Sequence, residues 1–133
     1  MMNCRIIRCS IHRPVNAVYE FASNPENLPR WVMSFCLSVR KSGEQWEMET
    51  PTGWVQIRFV PRDEAGILDH IVTLPDGQAV VNPMRVVDKG GGSEVMFTLF
   101  QQPGMSDEQF ARDADMVAAD LQSLKKVLEG QVG

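Results

Sequence analysis

Asp69 and His70 are the residues whose types and placement most readily suggest chemistry. A carboxylate and an imidazole stand side by side in a run that also holds Ile67, Leu68, Ile71 and Val72. Polar groups in such a run are costly unless hydrogen-bonded or used, and an imidazole changes charge near neutral pH. The pair could anchor a buried strand, orient or protonate a ligand, or lie at an exposed edge. Adjacent strand residues face opposite sides, so both enter one cavity only across a bulge. A nucleophilic relay does not follow from this pair alone.

Arg58, Asn82 and Arg85 are the other polar candidates. A guanidinium facing an enclosed space would hold a carboxylate or enolate, yet arginines on sheets commonly extend to water. Asn82 shares a face with Val80, Met84 and Val86, which favours an inward amide. His12, beside Pro14, reads as a surface residue. Cys4, Cys9 and Cys36 are odd in number and lack a CxxC pair, so they read as reduced structural thiols, with neither a disulfide framework nor a metal ligand set. Lys89-Gly90-Gly91-Gly92-Ser93 has the glycines of a phosphate loop, but a strand follows it and not a helix N-terminus, so it reads as a hairpin turn. No cofactor fingerprint is present. Trp31, Trp46, Trp54, Met48, Met84, Met96, Met105 and Met116 could form adaptable apolar walls, or simply core.

The elements that must position these residues follow from periodicity. Ile7, Cys9 and Ile11 share one face at period two and predict an opening strand. Pro14 ends it and starts a short helix over 14–22, with Val15, Val18, Phe21 and Ala22 on its apolar side. Asn24 caps a second helix that begins at Pro25 and stops at Pro29, before Trp31. From Ser34 to Phe100 the period is two, and turn residues at 42–43, 51–53, 64–66, 75–77 and 90–92 delimit six strands. The last three, about 67–74, 78–88 and 93–101, are apolar on both faces and are expected where the sheet is covered or strongly curved. Pro83 marks a bulge or a missing ladder donor.

After Pro103-Gly104, Ser106 and Gln109 stand at capping-box spacing, with Asp107 and Glu108 in the first turn. Phe110, Ala114, Val117, Leu121, Leu124 and Leu128 form one apolar stripe along a helix of roughly 35 Å. A wide concave surface is needed to cover it. Val117, Leu121 and Leu124 are expected deep in the core, and Phe110 and Met116 near an open end.

The 133 residues suit one domain, 1–133, able to bury roughly two-thirds of its unfolded surface. Thirteen basic and seventeen acidic residues give a net charge of −4 with no basic cluster, which argues against nucleic acid as a partner. Met1 to Ile11 has no continuous apolar run, so neither a signal peptide nor a membrane span is expected there, and a cytoplasmic protein is the simplest expectation.

The order strand, two short helices, six strands and long helix resembles the START-like (SRPBCC) superfamily, with its polyketide cyclase/dehydratase-like and birch-pollen-allergen-like members. The stretches 11–21 and 24–31, the second reading Asn-Pro-Glu-Asn-Leu-Pro-Arg-Trp, are similar to that superfamily's N-terminal signature, and 105–128 to its closing helix. The resemblance implies an α+β helix-grip fold: a curved seven-stranded antiparallel sheet, in the order 1-7-6-5-4-3-2, around the C-terminal helix. It also implies a cavity between them. The leading expectation is a binder of a small hydrophobic or aromatic molecule, with Trp31, Trp46, Met48, His70, Asn82, Met84, Phe97, Phe110 and Met116 as contact candidates. One alternative is a polyketide cyclase/dehydratase-like enzyme using His70 or Asp69 as acid or base. A second is a protein-interaction module with an exposed apolar patch. No cofactor or metal is expected, and a homodimer is compatible with either reading.

Overall fold

The computed structural model describes residues 1–61, 63 and 65–130. Glu64, in the expected turn at 64–66, lies outside the described residues. The chain runs β1 (Cys4–Ile11), α1 (Val15–Ala22), a 3-10 turn (Pro25–Asn27), α2 (Leu28–Trp31), β2 (Ser38–Ser42), β3 (Gln45–Thr50), β4 (Gly53–Phe59), β5 (His70–Thr73), β6 (Ala79–Asn82), β7 (Met84–Lys89), β8 (Gly92–Phe100) and α3 (Asp107–Gly130). All strand pairs are antiparallel. They form a three-stranded sheet, β1-β8-β7, and a five-stranded one, β2-β3-β4-β5-β6.

Pro83 explains the division. It has no N–H to donate and separates β6, which pairs with β5, from β7, which pairs with β8. Counting β6 and β7 as one interrupted strand restores the expected order. The break is bridged by backbone: the Thr98 N–H donates to the Pro83 carbonyl (2.9 Å) and the Leu68 N–H to the Met84 carbonyl (2.8 Å). A sheet hinged at this point curls around α3.

Three boundaries differ from the sequence reading, one of them the strand expected from about 67, which begins only at His70. Pro29 does not stop the second helix: it sits in the first turn of α2, where a missing N–H costs nothing, and Trp31 closes that helix. The strand expected from Ser34 begins only at Ser38, because the Phe35 and Cys36 N–H groups both turn back to the Val32 carbonyl.

Local chemistry explains the remaining boundaries. The Asn24 side chain accepts the Glu26 N–H at 3.1 Å, and the Ser106 hydroxyl accepts the Gln109 N–H at 3.1 Å, each satisfying a donor at the start of a helix. Gly66 has φ +76°, and a Cβ there would stand 2.2 Å from the Val86 carbonyl oxygen, so only glycine lets the chain pass this close to β7. The core joins both sheets to α3: Cys9, Ile11, Met84, Val86 and Val95 from the three-stranded sheet, Met48, Val55, Ile57 and Val72 from the other, and Leu121, Leu124 and Leu128 from the helix. Trp31, Leu28 and Phe21 close the same core from the short helices.

Candidate functional site

Between the concave face of the sheets and the first two-thirds of α3 lies a cavity of about 870 Å³. Strand alternation builds one wall: Met48 from β3, Ile57 and Phe59 from β4, His70 and Val72 from β5, Val80 and Asn82 from β6, Phe97 and Leu99 from β8. The opposite wall is a face of α3 carrying Gln109, Asp113, Met116, Val117, Asp120 and Leu121. Leu28, Trp31, Val32 and Phe35 close one side. The exposed lining residues Pro51, Thr52, Gln78, Pro103, Gly104 and Ser106 mark where the hollow meets solvent, beside the start of α3.

His70 is the most constrained polar group in this wall. It is 7% exposed and wedged between Phe59, with ring centroids 5.1 Å apart, and Phe97, at 5.7 Å edge to face. Its Nδ1 lies 3.0 Å from the Leu68 carbonyl oxygen. A carbonyl only accepts, so Nδ1 carries the proton and Nε2 presents a lone pair. Burial pushes the imidazole below its ordinary pKa, outweighing the Leu68 carbonyl and the neighbouring Asp69 charge, so the ring is neutral near pH 7. Asn82 is the cross-strand partner of His70 and faces the same hollow.

Asp69 turns the other way, and its Oδ1 accepts the Met84 N–H at 2.9 Å. It anchors the backbone just beyond Pro83, supplying an acceptor where the ladder is broken, and does not line the cavity. His70 and Asp69 are therefore not brought together in one site.

Among the other expected contact residues, the structure brings Trp31, Met48, Asn82, Phe97 and Met116 to the cavity wall. Trp46 borders a smaller hollow of about 370 Å³ with Ser23, Pro25 and Arg58. Met84 is fully buried in the core away from the cavity. Phe110 lies off the wall with the Arg5 guanidinium 5.4 Å over its ring, so the expected open end does not include it. Val117, expected to be deep core, is half-buried because it borders the hollow, whereas Leu121 and Leu124 are 1% and 0% exposed. Arg58 and Arg85 are exposed, as is His12. Among the described residues, no His, Cys, Asp and Glu grouping could hold a metal ion.

Asp120 is the polar wall residue that the sequence reading missed. It is 8% exposed, and the Ser34 hydroxyl donates to its carboxylate at 2.8 Å, with the Ser34 N–H at 3.2 Å. Burial raises its pKa, with the two Ser34 hydrogen bonds opposing that shift. Cys36 is pushed up to about 11 by burial and by the Asp120 charge, which leaves it a poor nucleophile. Gln109, Asp113, Met116 and Asp120 recur at helical spacing just beside the apolar stripe, and that second stripe was the available signal.

No family model and no curated protein sequence matches the chain. Solved structures do match. XoxI from Bacillus cereus superposes with a TM-score of 0.77 at 16% identity, covering 97% of each chain. The Aha1 dimer from Colwellia psychrerythraea gives a TM-score of 0.77 at 16% identity over 99% of this chain and 100% of that one. Ara h 8.0201 gives 0.73 at 12% identity over 98% and 100%. The chain has the helix-grip fold. At these identities the likeness defines the fold, and function has to be argued from the site. Among the described residues, no helix is long and apolar enough to cross a membrane.

Proposed function

We propose that this protein binds a small apolar or aromatic molecule in the cavity between its sheets and α3. The observation that carries this reading is the cavity itself: about 870 Å³, walled mainly by Trp31, Met48, Phe59, Val72, Phe97 and Leu121. Ligand sites of roughly 300–1,000 Å³ with a few polar groups in an apolar lining fit drug-sized molecules, whereas close-packed cores leave few voids larger than a water. Burial supplies affinity, and His70 and Asn82 supply orientation.

Native mass spectrometry and thermal shift with fatty acids, sterols, flavonoids and polyketide-like aromatics test the proposal. One-to-one adducts are expected for wild type and are expected to be lost in Val117→Trp, which fills the hollow from α3. Absence of any adduct across the panel would refute the reading.

A cyclase- or dehydratase-like enzyme is the second reading, supported by His70, whose neutral imidazole stands in the cavity wall and is able to take up a proton. It loses Asp69 as a partner, since that carboxylate is engaged by the Met84 N–H. Turnover of a reactive polyketide analogue that disappears in His70→Phe, with binding retained, would favour it over simple carriage.

A further inference from the structure

The cavity's charged side chains are one-sided, while its neutral polar ones include donors, among them the buried Trp31 indole N–H, which has no hydrogen-bond partner among the described residues. Nε2 of His70 has no hydrogen-bond partner among the described residues, although the side chain is more than nine-tenths buried and lines the hollow. Its protonated Nδ1 is held by the Leu68 carbonyl, and the Phe59 and Phe97 rings fix the plane. The imidazole therefore offers one acceptor at a defined place and no donor. The charged groups facing it across the hollow are carboxylates: Asp120, held by Ser34, and Asp113, which takes the Gln109 amide at 2.6 Å. Among the described residues, no lysine or arginine lines the cavity.

From this arrangement we infer that the ligand is an aromatic molecule carrying a neutral hydroxyl or amino donor, which it gives to Nε2 of His70, and carrying no carboxylate. This rests on the cavity-binding reading above and narrows it. A phenol or aryl amine satisfies the lone pair that an unsubstituted hydrocarbon leaves bare, and an unmet buried acceptor is unfavourable. A ligand carboxylate would enter without a cation, beside two like charges. Asn82, directly across the strand pair from His70, has a side chain able to meet a second polar atom on the same ring system.

Three probes of matched shape separate the possibilities: trans-stilbene, 4-hydroxystilbene and stilbene-4-carboxylate, titrated into the intact protein by fluorescence. The expected order is 4-hydroxystilbene tightest, by about three- to tenfold over stilbene, which is the range one neutral hydrogen bond gives. The carboxylate is expected to bind weakest. In His70→Phe, which keeps an aromatic ring between Phe59 and Phe97, the hydroxyl preference is expected to collapse to parity. Long-range proton–nitrogen spectra of wild type supply a test that does not depend on the variant folding: an unprotonated Nε2 in the free protein, moving upfield on adding 4-hydroxystilbene. Stilbene or the carboxylate binding as tightly as the phenol, a preference that survives His70→Phe, or a protonated Nε2 in the free protein would overturn the inference while leaving cavity binding intact. If none of the three probes binds while a fatty acid, sterol or flavonoid of the wider panel does, the inference fails and cavity binding stands; if nothing in the wider panel binds either, both fail.

Discussion

Truncating α3 at Leu121, Leu124 and Met116 in turn separates core from cavity wall. Leu124 is fully buried and off the cavity, Leu121 is 1% exposed and touches it along one side, and Met116 is half-buried and faces it. Leucine to alanine removes three carbons, worth about 2.4 kcal/mol of transfer at ~0.8 kcal/mol each, and the void left behind brings the total to about 3–5 kcal/mol. Leu124→Ala should lie in that range. Leu121→Ala should cost nearly as much, since it enlarges a hollow that already exists. Met116→Ala should cost only about 1 kcal/mol, because its side chain is half-buried at the edge of a void. With urea m-values of about 1–3 kcal/mol per molar, the two leucine variants should lower the midpoint by about 1–5 M and Met116→Ala by about 0.3–1 M. Ligand affinity should respond in the reverse order, with Met116→Ala changing it more than Leu124→Ala. Equal losses of stability at all three positions, with binding lost only in proportion to unfolding, would refute the division of the helix into core and wall.

Three further outcomes follow from the same geometry. Because burial holds His70 below its ordinary pKa of about 6.5, the unfolded chain binds more protons than the folded one just below that pH. Its contribution is complete above about 6.5 and is lost as the pH falls toward the folded value, so wild type should lose stability relative to His70→Phe between pH 7.5 and 5 in paired urea titrations; parallel curves would contradict this. Asp120 is raised by burial, so its favourable contribution belongs to low pH and is lost as the pH rises through the folded pKa. Asp120→Asn keeps an acceptor for the Ser34 hydroxyl and should be at least as stable as wild type at pH 7, its advantage fading toward pH 4; a clear loss at pH 7 would show that the charged hydrogen bonds dominate. Gly66→Ala should lower stability by at least ~2 kcal/mol, since it combines a positive φ with a Cβ that collides with the Val86 carbonyl, and a melting temperature within a degree of wild type would disprove that close approach.

Much of the architecture was legible because its signals are local. Alternation over Ile7, Cys9 and Ile11, the turn glycines, Pro14 and the Ser106 cap each act within a few residues, and together they order the elements. Pro83 was legible as an irregularity, but its consequence, a sheet divided between β6 and β7, depends on which neighbours take over the free backbone groups. Pro29 was misplaced because proline is equally at home in the first turn of a helix and just after its end. The site was harder to read. His70 and Asp69 look equivalent in sequence, and only the break after Asn82 decides that Asp69 serves the backbone while His70 faces the hollow. Asp120 escaped notice because it borders a stripe of leucines, and a carboxylate there makes sense only once the Ser34 loop is folded against it. Phe110 fits the apolar stripe, yet its position on α3 turns it toward Arg5 and away from the cavity.

Ligand binding in the hollow can be read directly from methyl-resolved carbon–proton spectra of the intact protein during titration with 4-hydroxystilbene. Val72, Val80, Met116, Val117 and Leu121 line the hollow, whereas Ile6, Val81 and Val87 are exposed elsewhere on the molecule. A ligand inside the hollow should give saturable shifts confined to the first group, with the second unmoved. Saturable shifts at Val81 or Val87 with a silent interior, or no shift at any methyl, would contradict binding there.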